Sequence, residues 1–102
     1  MHPAIAVHQS GIEAICRQYQ VRRLDVFGSA ARATDFNPRT SDADFLVEFD
    51  PAARPGLSAY FGAKSALETL LGRPVDLVEA GAVRNPYVLE DINRCKETIY
   101  AA

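Results

Sequence analysis

Three aspartates lie where strands are expected, in a pattern that could bind a metal ion. Asp42 and Asp44 begin a segment of alternating polar and apolar residues that runs to Phe49. Residues two positions apart on a strand project from the same face, so both carboxylates can converge on one divalent cation or on a pair of cations. Hard oxygen ligands of this kind suit Mg²⁺ or Mn²⁺ shared with the phosphates of a nucleotide. The alternative is an exposed strand end, where aspartate is common.

The third aspartate, Asp76, lies in the short apolar segment 75–78. A charged group within an apolar strand is costly unless it is paired or binds a ligand. If this strand lies beside the one that carries Asp42 and Asp44, three carboxylates meet on one face, and a divalent cation would compensate their repulsion. The alternative is a salt bridge to an arginine such as Arg73 or Arg84.

A glycine and a serine follow the expected strand at residues 24–27. Gly28 and Ser29 precede several good helix formers, which places them at a strand-to-helix turn. Glycine lets a ligand approach the backbone, and a helix N-terminus offers free N–H groups to a phosphate. The turn could therefore bind phosphate, but a Gly-Ser turn of this kind is common, and the alternative is that Ser29 serves only as the helix cap.

Length and composition limit the classes of protein to which the chain can belong. Its 102 residues, of which 48% are apolar, fit one folded domain over residues 1–102. The net charge of −2 gives no positive field that would favour nucleic acid or an anionic membrane. No apolar run is long enough to span a bilayer and no signal peptide is evident, so a cytoplasmic location is expected. Cys16 and Cys95 are expected to be buried thiols.

The hydrophobic pattern predicts an α/β fold in which helices and strands alternate, starting and ending with a helix. We expect a small mixed sheet of about three strands packed with about four helices. The expected strands cover residues 24–27, 42–49 and 75–78. The expected helices cover residues 8–20, 30–35, 57–71 and 86–100.

Taken together, three motifs resemble those of the minimal nucleotidyltransferases of the DNA polymerase beta-like superfamily. The motifs are Phe-Gly-Ser-Ala-Ala-Arg at 27–32, Ser-Asp-Ala-Asp-Phe-Leu-Val-Glu-Phe at 41–49 and Gly-Arg-Pro-Val-Asp-Leu-Val at 72–78. The resemblance covers nearly the whole chain and implies a polymerase beta-like nucleotidyltransferase domain. Each motif alone is common, but their combination in this order is specific.

The resemblance also implies roles for individual residues. Gly28 and Ser29 would hold the nucleotide triphosphate. Asp42 and Asp44 would bind two Mg²⁺ ions. Asp76 would complete the metal site and help to activate the attacking hydroxyl group, with pyrophosphate as the leaving group.

Arg32 is a further candidate for contacting phosphate, although it could equally be a solvated helix arginine. The sequence departs from the family pattern in two places. Twelve residues, 30–41, separate the Gly-Ser turn from the Asp-x-Asp motif, which is longer than is usual in the family, and Ala33 stands where glycine is common. Neither departure removes an expected metal ligand.

For function, the resemblance implies the antitoxin of a HEPN/MNT toxin–antitoxin pair. Such a protein would transfer AMP from ATP to a tyrosine of the HEPN ribonuclease toxin. The alternatives are an antitoxin or scaffold that masks the toxin without catalysis, and nucleotidyl transfer to a small molecule. Because 102 residues leave no room for a separate acceptor domain, the acceptor is expected to be another folded protein.

Overall fold

A four-stranded mixed sheet forms the centre of the computed structural model. The structure describes residues 3–28, 43–53, 56–82 and 84–102. Within these ranges the strands are β1 (Val21–Phe27), β2 (Ala43–Phe49), β3 (Val75–Glu79) and β4 (Glu97–Ala101). Their spatial order is β3-β2-β1-β4, with β1 antiparallel to both of its neighbours and β3 parallel to β2.

The alternating pattern of β2 determines which side of the sheet faces the core. Ala43, Phe45 and Val47 are buried, as predicted, and Phe45 is the largest fully buried side chain. Successive side chains of a strand point to opposite faces, so Asp44 lies on the face away from these three residues. The central strand therefore orients both the core and the acidic face.

Four α-helices occur in the described ranges, in agreement with the predicted α/β class. They are α1 (Pro3–Ala6), α2 (Gln9–Gln18), α3 (Leu57–Leu71) and α4 (Pro86–Cys95). Ile12 and Cys16 of α2, with Leu67 and Leu71 of α3, belong to the same hydrophobic core as the sheet. The expected helix at 30–35 lies outside the described residues, whereas the short α1 was not predicted.

The C-terminal segment corrects the expectation of a helix that continues to residue 100. The helix ends at Cys95, where the Lys96 N–H still bonds to the carbonyl oxygen of Ile92, and β4 follows as an edge strand beside β1. Ile99 has the spacing that would continue the apolar stripe of a helix. It is instead flanked by threonine and tyrosine, residues that favour strands, and it is buried in the sheet core.

Two further expectations concern the cysteines and the membrane. Cys16 is a free thiol with 1% of its surface exposed, as predicted, while the side chain of Cys95 is outside the described part of the structure. None of the helices in the described ranges is both long enough and apolar enough to cross a membrane.

Candidate active site

Asp44 and Asp76 are neighbours on adjacent strands. They are register partners in the parallel pairing of β2 with β3, so their side chains leave the same face of the sheet. Strands lie about 4.8 Å apart in a sheet, which brings the two carboxylates close enough to share a cation. Asp44 is half-buried and Asp76 is exposed. β3 thus lies beside β2, which is the condition under which the sequence pattern brings carboxylates of both strands to one face.

The turn after β1 reaches the same pair. Phe27 is the register partner of Asp44, and Gly28 follows it with a φ of 68°, in the left-handed region that favours glycine. A Cβ atom on Gly28 would lie only 2.6 Å from Oδ2 of Asp44. The missing side chain of Gly28 therefore allows the backbone of the turn to lie against the carboxylate.

Strand direction explains why Gly28, Asp44 and Asp76 lie at the same end of the sheet's strands. Because β1 runs antiparallel to β2, the last residues of β1 lie beside the first residues of β2. The first residues of β3, which is parallel to β2, lie at the same end of the strands. The Ala43 N–H donates to the carbonyl oxygen of Pro74 at 3.1 Å and continues the pairing outward from the two aspartates.

The other predicted site residues cannot be placed. Asp42, Ser29 and Arg32 lie outside the residues that the structure describes. Within those residues no cluster of three or more acidic, histidine or cysteine side chains forms a metal site, and Asp44 with Asp76 supplies two of the expected three carboxylates. The trio therefore depends on Asp42, the residue two positions before Asp44.

A salt bridge was the alternative explanation for Asp76. The ion pairs found in the described ranges are Arg22–Glu48, Arg23–Asp25 and Arg94–Glu90. None of these pairs includes Asp76, whose side chain is exposed.

A buried carboxylate that was not among the predicted site residues lies on the same face of the sheet. Asp25 of β1 is 2% exposed, and its Oδ1 accepts hydrogen bonds from the Thr98 hydroxyl at 2.6 Å and from Arg23 Nε at 3.2 Å. Its register partner is Leu46, two residues after Asp44. An aspartate between the apolar residues Leu24 and Val26 gives the same sequence signal as Asp76 does. Its hydrogen bond with Thr98, however, joins β1 to β4.

Comparison with known proteins gives a family match. The profile of the nucleotidyltransferase domain family matches residues 9–99. The chain is 39% identical over 75 residues to "Putative protein adenylyltransferase MJ1379" of Methanocaldococcus jannaschii, an alignment that covers 74% of this chain and 73% of the relative.

Solved structures show the same fold. A "putative minimal nucleotidyltransferase" superposes with a TM-score of 0.76 at 30% identity, with 95% of each chain covered. A toxin–antitoxin crystal structure with AMP-PNP superposes with a TM-score of 0.65 at 19% identity, and the superposition covers 92% of this chain and 73% of the other. The structure of a tri-AMPylated Shewanella oneidensis HEPN toxin in complex with an MNT antitoxin superposes with a TM-score of 0.63 at 16% identity. This superposition covers 95% of this chain and 72% of the other. The last two identities are low, so these likenesses concern the fold alone.

Proposed function

Because the chain belongs to the nucleotidyltransferase domain family, we propose that it is a Mg²⁺-dependent protein adenylyltransferase that transfers AMP from ATP to a tyrosine of a HEPN toxin. In this role it is the antitoxin of the pair. The observation that supports the proposal is the register pairing of Asp44 with Asp76 beside the Gly28 turn. The adenylyltransferase name of a relative and the toxin complexes of similar fold support the choice of a protein acceptor.

The donor atoms at the site fit a magnesium ion. Asp44 and Asp76 present carboxylate oxygens, the ligands that Mg²⁺ prefers, and the exposure of Asp76 leaves room for water and phosphate oxygens. Asp42, two residues before Asp44, is proposed as the third ligand. When bound, Mg²⁺ supplies charge neutralisation at the transferring phosphoryl group and orients the attack.

Different residues of the chain bind the nucleotide and activate the acceptor. The backbone at Gly28, with Ser29 and Arg32, holds the triphosphate of ATP. A carboxylate oxygen of Asp76 accepts the proton of the tyrosine hydroxyl group while the tyrosine oxygen attacks the α-phosphorus. One P–O bond forms to tyrosine, the bond between the α-phosphorus and the bridging oxygen breaks, and pyrophosphate leaves.

The acceptor tyrosine comes from the partner. Residues 1–102 form the domain that binds nucleotide and metal, and the HEPN protein docks onto it in the cytoplasm. The proposal predicts that a neighbouring reading frame encodes such a protein. Neither nucleic acid nor a membrane takes part in the transfer.

A co-expression experiment tests this function. Cells produce the HEPN protein of the neighbouring reading frame with the wild type, with the double variant Asp42→Asn, Asp44→Asn, or with Asp50→Asn. Asp50 is an exposed aspartate just beyond the far end of β2, so it is a matched control. We expect growth and a toxin whose mass has increased by whole adenylyl groups with the wild type and the control, and neither with the double variant.

The same experiment distinguishes the alternatives. If the antitoxin is non-catalytic, the double variant will still protect cells, and the mass of the toxin will be unchanged. Transfer to a small molecule would likewise leave the toxin unmodified, although ATP turnover would still require Asp44. Either result contradicts protein adenylylation.

A further inference from the structure

Asp44 and Asp76 lie in strands with different support. Among the described residues, β2, which carries Asp44, is paired with a strand on each side, whereas β3 is an edge strand paired only with β2. An edge strand presents a row of peptide groups without a strand partner. The position of Asp76 therefore depends on whatever holds the outer side of β3.

Two side chains of α3 bind that outer side. The carboxylate of Glu68 accepts a hydrogen bond from the Val75 N–H, with 3.3 Å between Oε2 and N. The hydroxyl group of Tyr60 donates to the carbonyl oxygen of Leu77. Val75 and Leu77 are the two chain neighbours of Asp76, so the helix holds the backbone on both sides of this aspartate.

The side chains of the same two neighbours point into the core. Val75 is 4% and Leu77 is 3% exposed, whereas Asp76 between them is exposed on the opposite face. Buried side chains and hydrogen-bonded peptide groups thus fix the strand at the residue before and the residue after Asp76. The carboxylate itself remains accessible.

We infer that Tyr60 and Glu68 are positioning residues that hold Asp76 opposite Asp44 at the distance a shared cation requires. This inference rests on the proposed function, because it assumes that the two aspartates bind the metal. The hydrogen bonds of both side chains are made to the backbone of β3. Both act through the backbone of β3, in the way that residues behind a metal site orient its ligands.

The variants separate positioning from general stability. Tyr60→Phe removes only the hydroxyl group, and Glu68→Ala removes the acceptor of the Val75 N–H. Glu68→Gln is the conservative rescue, because the amide oxygen of glutamine still accepts a hydrogen bond. The controls are Tyr87→Phe, at a tyrosine with 82% of its surface exposed, and Thr69→Ala, at the exposed neighbour of Glu68.

The primary measurement is Mn²⁺ binding in the presence of AMP-PNP, followed by the electron paramagnetic resonance signal of free Mn²⁺. Thermal unfolding of the same proteins reports stability. We expect Tyr60→Phe and Glu68→Ala to weaken Mn²⁺ binding by about tenfold, the lower part of the range known for residues behind metal ligands. Glu68→Gln and both controls retain wild-type binding.

Three other outcomes would overturn the inference in distinguishable ways. If Tyr60→Phe and Glu68→Ala unfold at lower temperature but bind Mn²⁺ like the wild type, the contacts are only structural. If Glu68→Gln binds as weakly as Glu68→Ala, the contact to the Val75 N–H does not position Asp76. If the wild type binds no Mn²⁺, or Asp76→Asn binds it equally well, the proposed metal site is wrong and this inference falls with it.

Discussion

Gly28 lies so close to Asp44 that a Cβ atom at residue 28 would have to displace the carboxylate. A Cβ atom on Gly28 would lie 2.6 Å from Oδ2 of Asp44, and the φ of 68° at this position already disfavours other residues. The turn that is proposed to hold phosphate and the carboxylate that is proposed to bind metal are therefore one unit. A change at the turn must reach the metal site.

Alanine at Gly28 is expected to disrupt metal binding as well as the backbone. Gly72 is a matched control, because its φ of 66° is nearly the same but nothing lies within 4 Å of its added Cβ. Each substitution should lower the free energy of unfolding by about 1 kcal/mol through backbone strain, with a further loss at Gly28. Only Gly28→Ala should weaken Mn²⁺ binding. Equal Mn²⁺ binding by both variants would contradict the contact with Asp44.

Much of this site could be predicted because it follows from local patterns. The alternation of β2 gives both its buried face and the direction of Asp44, and the apolar neighbours of Asp76 indicate a carboxylate that is paired or binds a ligand. The sequence also places Gly28 at a strand-to-helix turn. Its contact with Asp44 depends on strand pairing, which no local pattern records.

β4 and the hydrogen-bond partner of Asp25 could not be predicted from the sequence for a related reason. Ile99 fits a helical stripe by spacing, and only its place beside β1 makes the last residues a strand. The partner that makes burial of Asp25 tolerable, Thr98, is distant along the chain. Such long-range contacts decide between local alternatives that the hydrophobic pattern leaves equal.

Removal of the Thr98 hydroxyl should destabilise the fold without affecting the metal site. In Thr98→Val the buried Asp25 carboxylate loses its shorter hydrogen bond, so the free energy of unfolding should fall by about 1–3 kcal/mol. Urea unfolding provides the measurement, and Thr69→Val, at an exposed position of α3, is the control. A variant as stable as the wild type would show that Asp25 does not need this contact.

The thiol of Cys16 should be unreactive in the folded protein. Burial, with a smaller contribution from the charge of Glu13, raises the pKa of Cys16 from 9.0 to about 12. In a Cys95→Ser background, where Cys16 is the only cysteine left in the sequence, iodoacetamide at pH 9 should label the folded protein far more slowly than the unfolded one. Equal labelling rates would show that the thiol is accessible.

The same shift predicts a loss of stability in alkali. Because the folded state holds the Cys16 proton more tightly than the unfolded state does, this thiol favours folding fully below pH 9, and its contribution is lost as the pH rises towards 12. The unfolding free energy of Cys16→Ala should therefore fall less over this interval than that of the wild type. Parallel pH dependences would contradict the raised pKa.

The most direct test of the account is transfer of label from α-labelled ATP to the purified HEPN partner in the presence of Mg²⁺. The wild type and Asp50→Asn should label the partner, and Asp44→Asn and Asp76→Asn should each lose nearly all of the activity, because the two carboxylates form one site. Labelling at the wild-type rate by either Asp44→Asn or Asp76→Asn would contradict the claim that this pair performs the chemistry.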